Sequence, residues 1–163
     1  MIKAIGAVMT GFAGAYFGIK LSANLRTRAG SLADICASLE LLESEISFSV
    51  NKLKKAFIRA DRNGLFTLAA GNLERMSAKK AWDNALCDMQ SKLCLRKADI
   101  DILGQLGQNI GKTDTEDQLK NIRYIKNIAM QQEKQARADY DRFGKLYRNG
   151  GVLIGLLAVI ILI

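Results

Sequence analysis

Apolar residues recur at intervals of three and four along most of this chain. The clearest run is Leu32, Ile35, Leu39, Leu42, Ile46, Val50, Leu53, Phe57 and Ala60, a single helical stripe over roughly eight turns. Ser31 with Asp34 supplies a start signal, and Glu40, Glu43 and Glu45 stand off the stripe. Arg62-Asn63-Gly64 ends the run, with Gly64 suited to a left-handed C-cap. A shorter segment from Leu65 to about Met76 follows. Ser77 then opens a helix carrying Ala81, Trp82, Ala85, Leu86 and Met89, in which Trp82 is expected to be a core residue rather than an interface hot spot. A further helix from about Lys97 to Ile110 turns Ile100, Leu103, Leu106 and Ile110 inward. Gly111 reads as its C-cap, and Thr113 with Glu116, or Asp114 with Asp117, caps the last helix. That helix runs past Arg148, with Leu119, Ile122, Ile125, Ile128, Ala129, Gln132, Ala136, Tyr140, Phe143 and Tyr147 inward, and its more polar second half reads as a stalk. No period-two alternation is long enough for a sheet, so the class is all-α with five to six bundle helices.

The two ends break the amphipathic pattern. Ala4 to Ile19 has no charged residue, and Gly150 to Ile163 has none. Both read as membrane-crossing helices, the first lengthened if Lys3 and Lys20 snorkel, the second short unless Arg148 does the same. Lys20 and Leu21-Ser22-Ala23 make a poor cleavage site, so an uncleaved anchor is expected in place of a signal peptide. Basic residues flank the inner side of each segment: Lys20, Arg26 and Arg28, then Arg137, Arg142, Lys145 and Arg148. They predict a cytoplasmic middle with both termini outside, and they favour anionic headgroups. The expected organisation is therefore residues 1–25 as one transmembrane helix, 26–148 as a cytoplasmic helical bundle, and 149–163 as a second transmembrane helix. Gly11, Gly14 and Gly18 in the first segment, and Gly151 and Gly155 in the second, form small-residue stripes suited to close helix packing.

Charge sharpens this division. Residues 24–148 hold all 16 acids and 22 of the 24 Lys and Arg, leaving that stretch at +6. Proline is absent, which fits a chain that is helical almost throughout. Histidine is absent too, removing the commonest catalytic base and metal ligand. Cys36, Cys87 and Cys94 form no CxxC pair; they read as small buried hydrophobes, with Cys87 and Cys94 on one face if their helix is continuous. Glu43 with Glu45, and Asp99 with Asp101, are two apart and point away from each other on a helix, so neither is an acid–base dyad. Gly111-Lys112-Thr113 imitates only the tail of a phosphate loop, without a preceding strand. No catalytic residue, metal ligand or cofactor site is expected. The basic residues are interleaved with acids, which suits a solvated face better than a nucleic-acid surface.

The ordered set Leu39-Glu-Leu-Leu-Glu43-Ser-Glu45-Ile46, Ala81-Trp82, Leu106-Gly107 through Gly111, Asp114 to Gln118, and the terminal Gly155 to Ile163 resembles the stage III sporulation protein AB family of endospore-forming bacteria. The resemblance implies a station in the mother-cell membrane around the forespore, in the assembly linking the two cells. It implies a cytoplasmic domain similar to the platform proteins of type II secretion and type IV pilus machines, and a non-enzymatic role coupling a cytoplasmic ATPase to the other channel subunits. By matched position, Glu43 and Glu45 become candidates for a partner-facing acidic surface, with Gly111, Asp114 and Gln118 shaping or presenting the corner. Two other readings remain: a platform protein of a pilus or type II-like secretion system, and, in another class, a membrane-tethered nucleic-acid binder.

Overall fold

The computed structural model describes residues 2–48, 53–110 and 114–162. Among these the chain forms six helices: α1 (Ile2–Phe48), α2 (Leu53–Ala60), α3 (Leu65–Asn72), α4 (Ala78–Met89), α5 (Lys97–Asn109) and α6 (Thr115–Leu162). The all-α expectation therefore holds. Two compact units result, one of residues 30–134 and one of residues 1–29 with 135–163.

The structure corrects the expected membrane-crossing helices. No helix among the described residues is long and apolar enough to cross a membrane. Length is not the shortfall, since α1 has 47 residues and α6 has 48. The apolar stretch within each is too short or too dilute. In α1 the uncharged run between Lys3 and Lys20 is sixteen residues and includes Thr10, Tyr16 and four glycines. In α6 the fourteen residues 149–162 give about 21 Å of helix, against a hydrocarbon core of about 30 Å.

Residues 30–134 close around an aromatic centre. Phe57 of α2, Phe66 of α3 and Trp82 of α4 meet with ring centroids 4.9–5.8 Å apart and steeply inclined planes. The Trp82 indole Nε1–H donates to the Leu103 carbonyl at 2.7 Å, so its polar end is satisfied in a fully buried place. Gly107 lies under the same ring, where a Cβ would come within 3.0 Å of Trp82 Cδ1. Leu32, Ile35, Leu39 and Leu42 from α1, Leu106 from α5, and Ile122 and Ile125 from α6 are all buried at 2 % exposure or less. Trp82 is thus a core residue, and the stripe expected from Leu32 onward faces inward. Val50, in that stripe, lies outside the described residues.

Local boundaries differ from the expectation in three places. Ser31 does not start a helix, because α1 already runs through it; nothing between Lys20 and Ser31 breaks a helix. Gly64 does adopt the left-handed conformation, at φ 90°, but as the residue before α3 rather than the C-cap of α2. Asp61 organises that turn: its Oδ1 accepts the backbone N–H groups of Asn63, Gly64 and Phe66 at 3.0–3.3 Å. Third, α4 ends at Met89, and Cys94 sits in the following turn at φ 53°, so Cys87 and Cys94 share no helical face. Two other signals act where expected: Ser77 Oγ accepts the Lys80 N–H, and Asp114 Oδ1 accepts the Asp117 N–H at 3.0 Å. The structure adds a third cap, in which Asp99 Oδ2 accepts the Arg96 N–H at 2.8 Å.

Residues 2–29 of α1 and 135–162 of α6 form an antiparallel helical pair. As numbering rises on one strand of the seam it falls on the other: Gly18 faces Gly151, Gly14 faces Gly155, and Gly11 faces Val159. Near the base, Arg28 lies 3.8 Å from Asp139, both largely withdrawn from solvent. Ala136 is buried, as is Gly144 against Tyr140. Residues 135–148 are therefore packed rather than a bare stalk. Tyr147, expected on the inner face, is 41 % exposed.

Candidate partner-binding surfaces

Glu43 and Glu45 flank the buried stripe of Leu39 and Leu42 on α1 in the 30–134 unit, each one helical turn beyond a core leucine. Their carboxylates do not stand free. Glu43 Oε1 accepts Arg123 Nε at 2.6 Å, and its Oε2 accepts Lys126 Nζ at 2.7 Å. Arg123 and Lys126 are three apart on α6, so one carboxylate spans two cations on one helical face. Glu43 is only 18 % exposed, and the hydrogen bonds from Lys126 and then Arg123 hold its carboxyl below the usual range. Glu45 Oε2 pairs with Arg59 of α2 at 3.2 Å. Both acids thus serve contacts within the unit, Glu43 to the distant α6 and Glu45 to the neighbouring α2.

The start of α6 is different. Asp114, Thr115, Glu116 and Asp117 are all exposed, and Gln118 is half-buried with its N–H donating to the Asp114 carbonyl at 3.1 Å. Asp114 closes the first turn through the Asp117 N–H, and Lys120 pairs with Glu116 at 3.0 Å and Asp117 at 3.9 Å. Three carboxylates at a helix N-terminus also meet the positive end of the helix dipole. Gly111, expected to shape this corner, lies outside the described residues, as do Lys112 and Thr113.

No group of three or more His, Cys, Asp or Glu side chains suited to a metal ion occurs among the described residues. All three cysteines are free thiols. Cys36 is pushed up to about 11, first by burial and then by the nearby Glu133 carboxylate, which leaves it a poor nucleophile near neutral pH.

The glycine stripes occupy the seam of the other unit. A Cβ on Gly18 would lie 2.5 Å from the Tyr147 carbonyl oxygen, and one on Gly155 would lie 2.6 Å from that of Gly11. Gly14 and Gly151 are comparably close to the opposite backbone. The seam leaves outward faces of both helices exposed, including Phe12, Tyr16 and Phe17 on α1 and Leu153, Ile154 and Ile160 on α6.

Sequence reading did not identify Arg123, Lys126 or Arg59 as partners of the acids. The pairs Glu43–Arg123 and Glu43–Lys126 are separated by 80 and 83 residues, and no local spacing reports them. Asp61 carried a legible signal, an acid just ahead of Asn63-Gly64.

Comparison with known proteins agrees with this architecture. Residues 3–163 match the stage III sporulation protein AB family. The chain is similar to stage III sporulation protein AB of Bacillus subtilis (strain 168), with 26% identity over 170 residues covering 99% of each chain. It is also similar to a solved structure of stage III sporulation protein AB, with a TM-score of 0.64 and 25% identity, covering 70% of this chain and 96% of that one.

Proposed function

Because this chain belongs to the stage III sporulation protein AB family, we propose that it is a non-enzymatic scaffold of a sporulation assembly, a platform that docks a cytoplasmic secretion-type ATPase and links it to other channel subunits. Its proposed station is the mother-cell membrane around the forespore. The docking module in this reading is the 30–134 bundle.

One observation carries the choice of docking face. Glu43 is spent on Arg123 and Lys126, whereas Asp114, Glu116 and Asp117 are exposed at the head of α6. Ion pairs as exposed as Glu116–Lys120 contribute at most about 1 kcal/mol, so a partner's cations exchange with Lys120 at little cost. Displacing Glu43 would break two charge-assisted hydrogen bonds at once. The acidic corner therefore suits a basic partner surface better than the Glu43 face does.

The test is a crosslinking pull-down of tagged full-length protein from sporulating cells. Asp114→Asn keeps the cap, since Asn also accepts from the Asp117 N–H. Combined with Glu116→Gln and Asp117→Asn, it is expected to lose the ATPase and retain a native fold by circular dichroism. Glu43→Gln is expected to retain the ATPase. Recovery of the ATPase by the triple variant, or of no ATPase by the unaltered protein, would reject this reading.

A further inference from the structure

The unit of residues 1–29 and 135–163 carries most of the protein's excess charge. Eight Lys and Arg against two acids leave it at +6, out of +8 for the whole chain. On one face this charge adjoins an apolar cleft. Asp141, Lys145, Arg148 and Val152 are spaced by four, three and four, and so form one row along α6. Two clefts open on that row and share Arg148. The first, of about 280 Å³, is lined by Ser22, Tyr140, Asp141, Gly144, Lys145 and Arg148. The second, of about 590 Å³, is lined by Ile19, Arg148, Asn149, Val152 and Leu153. The row changes from polar to apolar at Arg148.

We propose that this face binds an anionic phospholipid with a hydroxylated headgroup, its phosphate held by Lys145 and Arg148 and an acyl chain laid along Ile19, Val152 and Leu153. The pairing follows from chemistry. Two cations side by side suit a phosphate, and Arg offers it a planar two-pronged donor. Ser22 and Tyr140 supply further hydroxyl groups. Asp141, in the same cleft, repels a bare anion but accepts hydrogen bonds from headgroup hydroxyls, as in phosphatidylglycerol. The headgroup cleft carries two cations and one carboxylate, so it matches a ligand of charge −1 better than a zwitterion. The apolar cleft next to it calls for a tail, which excludes free phosphate as the full ligand. The proposal goes beyond the scaffold reading and does not depend on it: lipid binding is read with purified protein, ATPase docking with cell extracts.

The test is co-flotation of the purified full-length protein with vesicles of phosphatidylcholine alone, with added phosphatidylglycerol, or with added phosphatidylethanolamine. Phosphatidylglycerol is expected to raise the floated fraction several-fold, and phosphatidylethanolamine to leave it unchanged. Each basic side chain at an anionic surface contributes about fivefold, so Lys145→Glu with Arg148→Glu is expected to abolish the gain while circular dichroism stays native. Arg26→Glu makes the same kind of charge change at an exposed residue outside both clefts and is expected to keep most of the gain. An equal loss from Arg26→Glu alone would replace the site with diffuse attraction. Displacement by glycerol phosphate as effective as by short-chain phosphatidylglycerol would reduce it to an anion site. No gain with phosphatidylglycerol, or equal gain with phosphatidylethanolamine, would overturn the proposal outright.

Discussion

Gly18 and Gly151 approach so closely that a Cβ on Gly18 would stand 2.9 Å from Gly151 Cα and 2.5 Å from the Tyr147 carbonyl oxygen. A methyl group there meets backbone, which has no rotamer with which to yield. Gly18→Ala is therefore expected to destabilise the protein by about 1–3 kcal/mol, the usual range for overpacking. Gly104, inside α5 with nothing within 4 Å of its Cβ position, provides the opposite case. Gly104→Ala is expected to stabilise by roughly 0.5–1 kcal/mol through helix propensity alone. Thermal unfolding of both full-length variants checks the pair, and a shift of the same sign in both would contradict the close approach.

Glu43 links stability to pH. Its carboxyl is held below the usual range by Lys126 and Arg123, so the folded protein binds this proton less readily than the unfolded chain. The contribution is present above the unfolded value and is lost as pH falls through the lowered folded value. Glu43→Gln is expected to cost about 1 kcal/mol near neutral pH, a figure kept low because Arg123 is 59 % exposed. The same variant should flatten the acid limb of a plot of denaturation midpoint against pH. An unchanged acid limb would show that the bridge contributes nothing to the linkage.

Ser38 lies on α1 at 0 % exposure, and its Oγ has no hydrogen-bond partner among the described residues. A buried hydroxyl without a partner costs about 1–3 kcal/mol. Ser38→Ala is therefore expected to be neutral or stabilising by about 1 kcal/mol. Denaturant titration measures it, and a loss above about 1 kcal/mol would mean that the hydroxyl is bonded in solution.

Cys36 and Cys87 are expected to alkylate at very different rates. Cys36 is pushed up to about 11 and is partly enclosed, while Cys87 is exposed on α4. At pH 8 only roughly a thousandth of Cys36 is thiolate. Mass spectrometry after a short iodoacetamide pulse should find Cys87 modified and Cys36 intact. Equal labelling would contradict the enclosed setting of Cys36.

What the sequence determined by itself was local. The spacing of Leu32, Ile35, Leu39 and Leu42 oriented the bundle stretch of α1, Ser77 and Asp114 marked two helix starts, and Asn63-Gly64 marked a turn. Each depends on residues within a few positions, where backbone geometry dictates what can touch. Only the tertiary structure decided what depends on distance along the chain. Glu43 looked like an outward acidic residue until Arg123 and Lys126, 80 and 83 residues away, came to it. The terminal segments read as membrane-crossing because each carries an uncharged run, Ala4 to Ile19 and Gly150 to Ile163. In the folded chain no described helix is long and apolar enough to cross, and Gly14, Gly18, Gly151 and Gly155 meet across one seam. A glycine stripe signals that something approaches closely. What approaches is settled by packing, because only the folded chain brings a second backbone within reach.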